Sequence, residues 1–469
     1  MEEHVERELK LVPPPDFRLP ELGGVPLPDR EFVSTYYDTR DLRLGRHGVT
    51  LRHRSEGGTR VWQLKIPRGA ARIELEEPGP PARPPATLLR LLAAHLRDAT
   101  LIPVARLRTR RKTVRADGAE IVDDSVAILD GQRVTGRFRE LEVELLEGDE
   151  RALQRLEHAL REAGAEPGKL EPKLFRVLDL AYPVGRVEIS AKASPTEALG
   201  AALHAQYEQL LAHDPGTRLG SNPEDLHQMR VATRRARAFL RTARPLVDTD
   251  WADGLRDELG WLGSALGPAR DADVLSEHLR QEIAALGEGG EPARGLLDLL
   301  AKDQSDARAT AVATLSDQRY FALLDRLERA REPARSREDG PTLADLWWDE
   351  FRKVRRRFSD LGPDSSDTEL HAARIRVKRA RYAAELASHE LGDAGAKFVS
   401  AAKKVQDVLG EHQDAYVAEA RITAWREEGG DARIAENLAA REQARREKAR
   451  SDWPAAWKKL KRRAKQARP

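Results

Sequence analysis

Two stretches of this chain carry basic side chains at spacings suited to a row of phosphates. In "HQMRVATRRARAFLR", from His227, and in "HAARIRVKRARYAAEL", from His371, cations recur three and four residues apart. Projected on a helix at about 100° per residue, His227, Arg230, Arg234, Arg237 and Arg241 fall within an arc of about 80°. His371, Arg374, Lys378 and Arg381 align in the same way, and no acid enters either stripe until Glu385. Such a stripe repels itself unless an anion neutralises it, and the planar guanidinium fork matches phosphate oxygens. The plainer reading of a charge run is a solvated or internally paired face. Repetition of the plan weighs against it. Only Phe239 and Tyr382 lie among the ladder residues, so bases have no stacking platform, and inorganic polyphosphate is favoured over nucleic acid.

A second set of charges sits in the first third of the chain. Strand alternation sends Glu6, Glu8 and Lys10 of "ERELK" to one face, and Glu140, Glu142 and Glu144 of "ELEVE" to one face. The same parity groups Arg52 with Arg54, Gln63 with Lys65, and Arg106 with Arg108 and Arg110, while Leu51, Leu64, Leu107, Leu141 and Val143 take the other side. A sheet with one face rich in both signs of charge can line a water-filled tunnel under an apolar exterior. Carboxylates beside Arg and Lys suit Mg²⁺ or Mn²⁺ together with phosphate, since hard oxygen ligands hold such ions and cations neutralise a leaving phosphate. The alternative is an ordinary antiparallel sheet with one solvated face of cross-strand ion pairs.

The elements that must position these residues divide the chain in two. From Glu6 to about Asp179 short β-rich runs are broken by Pro and Gly, with helical periodicity only at "PATLLRLLAAHLRDA" and "DERALQRLEHALREAG". After about Val187, Ala, Leu, Arg and Glu dominate long helical patterns, the first starting near Ser194, Pro195 and Glu197. Each ladder is followed by a related turn, "LGPARDADVL" and then "LGEHQDAYVA", which indicates two copies of one helical unit about a pseudo-twofold axis. The tail "WKKLKRRAKQARP" reads as a frayed, basic helix end. The expected fold is α+β in two domains: an N-terminal antiparallel β-barrel or tunnel with flanking helices over 1–186, and an all-α pair of four-helix bundles over 194–469.

Composition sets the remaining bounds. The formal charge of +2 on 469 residues attracts no partner by itself, so the placement of charge must carry recognition. Absence of cysteine excludes disulfides, thiolate nucleophiles and thiolate zinc sites. No uncharged run of some 18 apolar residues occurs, and "MEEHVERELK" lacks the core of a signal peptide, so a soluble cytoplasmic protein without a membrane anchor is expected. Oligomeric state is left open, because internal symmetry neither requires nor forbids a dimer.

The ladders and their turns resemble the signature segments of CHAD domains. That resemblance implies paired four-helix bundles of twofold character that bind long-chain polyphosphate in a basic central groove. It assigns phosphate contacts to His227, Arg230, Arg234, Arg237, His371, Arg374, Lys378 and Arg381, with Lys403 and Lys404 as further candidates. "ERELK" resembles the ExExK signature of CYTH domains, the triphosphate tunnel metalloenzyme group. "YYDT", "LRHR", "WQLK", "RELEVEL" and "EPKLFRVL" follow in that family's order. By that likeness Glu6, Glu8, Glu142 and Glu144 hold metal, with Asp124 in addition, while Lys10, Arg52, Arg54, Lys65, Arg106, Arg108 and Lys173 hold triphosphate. Catalysis then centres on Glu6, Glu8, Lys10 and Glu142. Pro172 stands where serine often precedes the late lysine of such sequences. The expectation is a metal-dependent inorganic triphosphatase tied to a polyphosphate-binding domain, with polyphosphate granules as one destination. The alternative is a non-catalytic polyphosphate adaptor.

Overall fold

The computed structural model describes residues 3–4, 8–68, 71–147, 150–181, 190, 193–287, 292–333, 340–362 and 364–468. Contacts divide the chain into two compact units, Met1–Gly185 and Arg186–Pro469.

The runs of alternating residues in the first unit become ten strands: β1 (Glu3–His4), β2 (Glu8–Val12), β3 (Val25–Asp38), β4 (Thr50–Glu56), β5 (Thr59–Arg68), β6 (Ala71–Pro78), β7 (Ile102–Ala116), β8 (Ala119–Asp130), β9 (Arg133–Leu145) and β10 (Glu166–Pro167). All are antiparallel neighbours in one sheet of order β1-β6-β5-β4-β3-β7-β8-β9-β2-β10. The chain crosses from the β6 edge to the β9 edge between His4 and Glu8, a reach of at most about 14 Å for four residues. The sheet is therefore curled into a tunnel. It is not the continuously hydrogen-bonded barrel that was one of the expectations. Arg72 of β6 spans the seam to Glu8 of β2 at 3.4 Å.

Helices α1 (Arg43–Arg46), α2 (Ala86–Leu91), α3 (Ala93–Leu96), α4 (Glu150–Glu162) and α5 (Lys173–Leu178) accompany the sheet. Leu11, Ile121, Leu141 and Val143 of the outer face share a core with Leu156 and Leu160 of α4. On the inner face, Tyr36, Leu107 and Val126 are buried with Leu174 and Phe175 of α5, so α5 fills part of the lumen with apolar side chains.

The second unit is helical: α6 (Pro195–Leu219), α7 (Pro223–Thr242), α8 (Thr249–Ala284), α9 (Arg294–Leu315), α10 (Gln318–Arg329), α11 (Leu343–Ser359), α12 (Asp367–Leu386), α13 (Ser388–Glu427) and α14 (Ala432–Gln466). Ser194 caps α6 through a capping box with Glu197, and Thr342 with Asp345 does the same for α11. Neighbours pack in sequence from α6 to α9 and again from α11 to α14, and α7 meets α12 between the two halves. The C-terminal tail is not frayed. It continues α14 and buries Trp453, Leu460 and Ala464, while Trp457 stacks on Phe358 of α11 with ring centres 4.2 Å apart. Among the described residues no helix is long and apolar enough to cross a membrane.

Candidate phosphate-binding sites

Register places the inner-face charges of the first unit opposite one another. Glu8 faces Glu144 and Lys10 faces Glu142 across β2 and β9, while Arg111 faces Asp124 across β7 and β8. At the centre lies Lys173, the first residue of α5. Its ammonium is 2.5 Å from Glu140, 3.0 Å from Glu142 and 3.1 Å from Asp124. Three carboxylates thus converge on a lysine. Burial would depress Lys173, but Glu142, Asp124 and Glu140 raise it well above the ordinary lysine value. Pro172 at the helix N-cap is compatible with that placement.

Lys10 lies 2.9 Å from Glu142 and donates to the Glu171 carbonyl at 3.0 Å. Burial alone would raise the Glu142 carboxyl, yet Lys173, Lys10 and Arg111 hold it well below the usual carboxylate range. Glu140 goes the other way, because its burial and the neighbouring Glu142 outweigh Lys173.

Arg52 donates to Gln63 at 2.7 Å and to the Tyr36 hydroxyl at 3.2 Å. The Arg54 guanidinium lies 3.8 Å from the Phe32 ring centre and pairs with Glu56. Lys65 pairs with Glu74. Asp38 of "YYDT" has a structural task, accepting from the backbone N–H groups of Thr39, Leu44 and Gly45.

Some expected residues stand elsewhere. Arg106 and Arg108 are exposed on the outer face, since β7 turns its odd-numbered residues inward, and Leu107 is the one that enters the lumen. Arg111 takes the inner position, with a bidentate bond to Asp124 at 2.9 and 2.7 Å. Asp124 is engaged by both Arg111 and Lys173, as Glu142 is by Lys10 and Lys173. Glu6 lies outside the described residues. The doublet "RR" at Arg110 and Arg111 was the signal available for Arg111, but a doublet does not say which member faces inward.

The lumen offers carboxylate oxygen donors and the chain has no cysteine, so the donor set fits a hard divalent cation. Elsewhere, potential ligand atoms of His278, Glu282 and Glu442 come within 4.8 Å of one another. There Arg445 and Arg441 already neutralise the acids at 2.7 and 3.0 Å.

In the helical unit the two ladders face one another from α7 and α12. The segments "LGPARDADVL" and "LGEHQDAYVA", expected as turns, lie inside the helices α8 and α13, and Gly267 and Gly410 at matching places in them face the ladder guanidiniums. A Cβ on Gly410 would lie 3.0 Å from Arg374, and one on Gly267 would lie 3.9 Å from Arg230. Arg230 pairs with exposed Asp271 at 2.5 Å, and Arg374 donates to the Gln406 carbonyl at 3.4 Å. Arg381 lies 3.6 Å from Glu385. Among the described residues, His227, Arg234, Arg237, His371 and Lys378 have no carboxylate partner. Burial and the surrounding Arg374, Arg234, Arg230 and Arg381 push Lys378 down to about 7. Burial and Arg270 lower His227. Lys403 and Lys404 are exposed on α13. Lys403 shares a helical stripe with Gly410, whereas Lys404 points about 100° away.

A CYTH domain family model matches residues 4–175, and a CHAD domain model matches residues 201–423. An uncharacterized protein of Mycobacterium tuberculosis is 32% identical over 428 residues, covering 83% of this chain and 81% of the relative. Among solved structures, the CHAD domain from the plant Ricinus communis has 24% identity and a TM-score of 0.49, over 59% of this chain and 94% of that one. HpAC1 from Hippeastrum, described as having a dominant triphosphatase activity, has 19% identity and a TM-score of 0.27, over 38% of this chain and 98% of that one.

Proposed function

Because this chain belongs to the proteins that join a CYTH domain to a CHAD domain, we propose that it binds inorganic polyphosphate through α7 and α12 and hydrolyses triphosphate or short polyphosphate in the tunnel. The observation that carries the reading is the meeting of the two ladders at α7 and α12, where Arg234, Arg237, His371 and Lys378 have no carboxylate partner among the described residues. Such a cluster is stabilised by a ligand with closely spaced negative charges.

In the tunnel, Glu8 and Glu144, opposed across two strands, would hold a divalent ion together with Glu142. When bound, Mg²⁺ or Mn²⁺ supplies charge neutralisation and a more acidic water. Arg52, Arg54, Lys65 and Arg111 orient phosphate oxygens from the surrounding strands. Lys10 and Lys173 hold Glu142 ionised and offer positive charge to a departing phosphate. Apolar packing of α5 against Tyr36, Leu107 and Val126 excludes water from that part of the lumen.

Phosphate release from tripolyphosphate with Mg²⁺ or Mn²⁺ tests the enzymatic part, and retention of polyphosphate against a competing oligonucleotide tests the groove. A second reading, a non-catalytic polyphosphate adaptor, is favoured by the engagement of Asp124, Glu140 and Glu142 with Lys173. Release of phosphate excludes it, and metal-independent silence of the tunnel supports it.

A further inference from the structure

The two halves of the helical unit differ in charge at one end of the groove. Counting from His227 and His371, Arg235 of α7 corresponds to Arg379 of α12, and Arg241 corresponds to Glu385. On one side of the α7–α12 contact, Arg235 lies 3.0 Å from Glu385, and Arg381 lies 3.6 Å from the same carboxylate. A carboxylate therefore closes that end of the cationic row. The pseudo-symmetric side holds Arg379 and Arg241 instead, like charge beside like charge. Arg376 adds a third cation where α7 has Ala232.

Among the described residues, Arg241, Arg376 and Arg379 have no ion-pair partner. Burial lowers Arg241, with Arg256, Arg376 and Arg237 adding to the effect against Glu350. Burial lowers Arg379 too, and Arg241 and Arg376 lower it further. The nearby acid is already engaged, since Glu350 lies 2.5 Å from Lys353, and Arg256 has its own partner in Asp253 at 2.7 Å. Arg241 also borders a cavity of about 730 Å³ where Arg244 and Lys353 mix with Asp248, Asp250, Asp349 and Glu350, so the purely cationic surface ends there.

We propose that Arg241, Arg376 and Arg379 form an extension of the central groove on one side only, gripping the phosphates of a condensed-phosphate chain that runs out of the ladder at that end. The extension rests on the reading of the groove as a polyphosphate site. It makes the pseudo-symmetric groove directional, because a chain is held past the ladder beside Arg241 and repelled by Glu385 at the other end. Chains too short to leave the ladder do not reach it.

The test uses the full chain, titrated with long-chain and with short-chain inorganic polyphosphate at several salt concentrations. Arg241→Ala and Arg379→Ala each lose roughly tenfold in long-chain affinity, the worth of one charge-assisted hydrogen bond. Their salt dependence becomes shallower, and short-chain binding stays near that of the unaltered protein. Arg379→Lys keeps most of the affinity, which separates lost charge from a disturbed fold. Glu385→Ala strengthens long-chain binding. Unchanged long-chain affinity and salt dependence in both alanine variants overturn the extension, as do equal losses for short and long chains. Unaltered protein that retains no polyphosphate overturns the reading of the groove itself.

Discussion

The Lys173 ammonium, ringed by Asp124, Glu140 and Glu142, governs the tunnel at the scale of single residues. Lys173→Met leaves three buried carboxylates with less compensation and costs about 3–5 kcal/mol, to be read from denaturant midpoints. Glu142→Gln abolishes phosphate release while circular dichroism stays unchanged; undiminished release removes the enzymatic proposal. Because Glu142 is held well below its unfolded value, its share of the stability is present above the ordinary carboxylate range and is lost as pH falls below it. Lys378 gives the opposite dependence for binding. Its free-state value of about 7 means that polyphosphate, which favours the charged form, binds with proton uptake. Affinity is greatest below pH 7 and falls by up to about tenfold per unit above it, and Lys378→Met removes that slope. A flat profile between neutral and alkaline pH in the unaltered protein refutes the linkage. Of the tunnel residues, those in clean two-residue alternation were legible in the sequence: Glu8, Lys10, Arg52, Arg54, Lys65 and Glu142. Arg111 was not, because alternation alone groups Arg106, Arg108 and Arg110 equally well, and only the register of β7 against β8 separates the faces.

Among elements, the repeat was the most legible feature, since spacing of His, Arg and Lys at three and four residues survives in any helix. The related segments carrying Gly267 and Gly410 were recognisable as a repeat but were wrongly expected as turns: they continue α8 and α13, and at Gly410 the missing side chain leaves room for the ladder residue Arg374. The tail was misjudged because its cations dominate the local composition. Trp453, Trp457, Leu460 and Ala464 recur on one side of α14, and packing on α11 decides the outcome. Helix contacts also yield a stability prediction. A Cβ at Gly200 of α6 would lie 2.1 Å from the Arg331 carbonyl oxygen, backbone that no rotamer change can move. Gly200→Ala therefore destabilises by about 1–3 kcal/mol, measurable as a lower melting temperature.

For the whole molecule, a formal charge of +2 conceals strong local segregation: balanced ion pairs in the tunnel, and a cationic excess on α7 and α12. On the proposed reading, tethering two phosphate sites in one chain raises the local concentration of chain ends for the tunnel. Charge reversal at Arg234 and Lys378 therefore lowers the ratio of long-chain to tripolyphosphate turnover; an unaltered ratio means that the halves work independently. One consequence follows from how the sheet is stitched. Its β6 margin is covered by β1, and β2 of the same opening stretch pairs with β9 and carries β10 outside it. Proteolytic trimming through Val12 would strip β1 and β2 together and leave the amide rows of β6 and β9 ready to recruit a second molecule, so shortened protein should clump before any defect in chemistry could be measured.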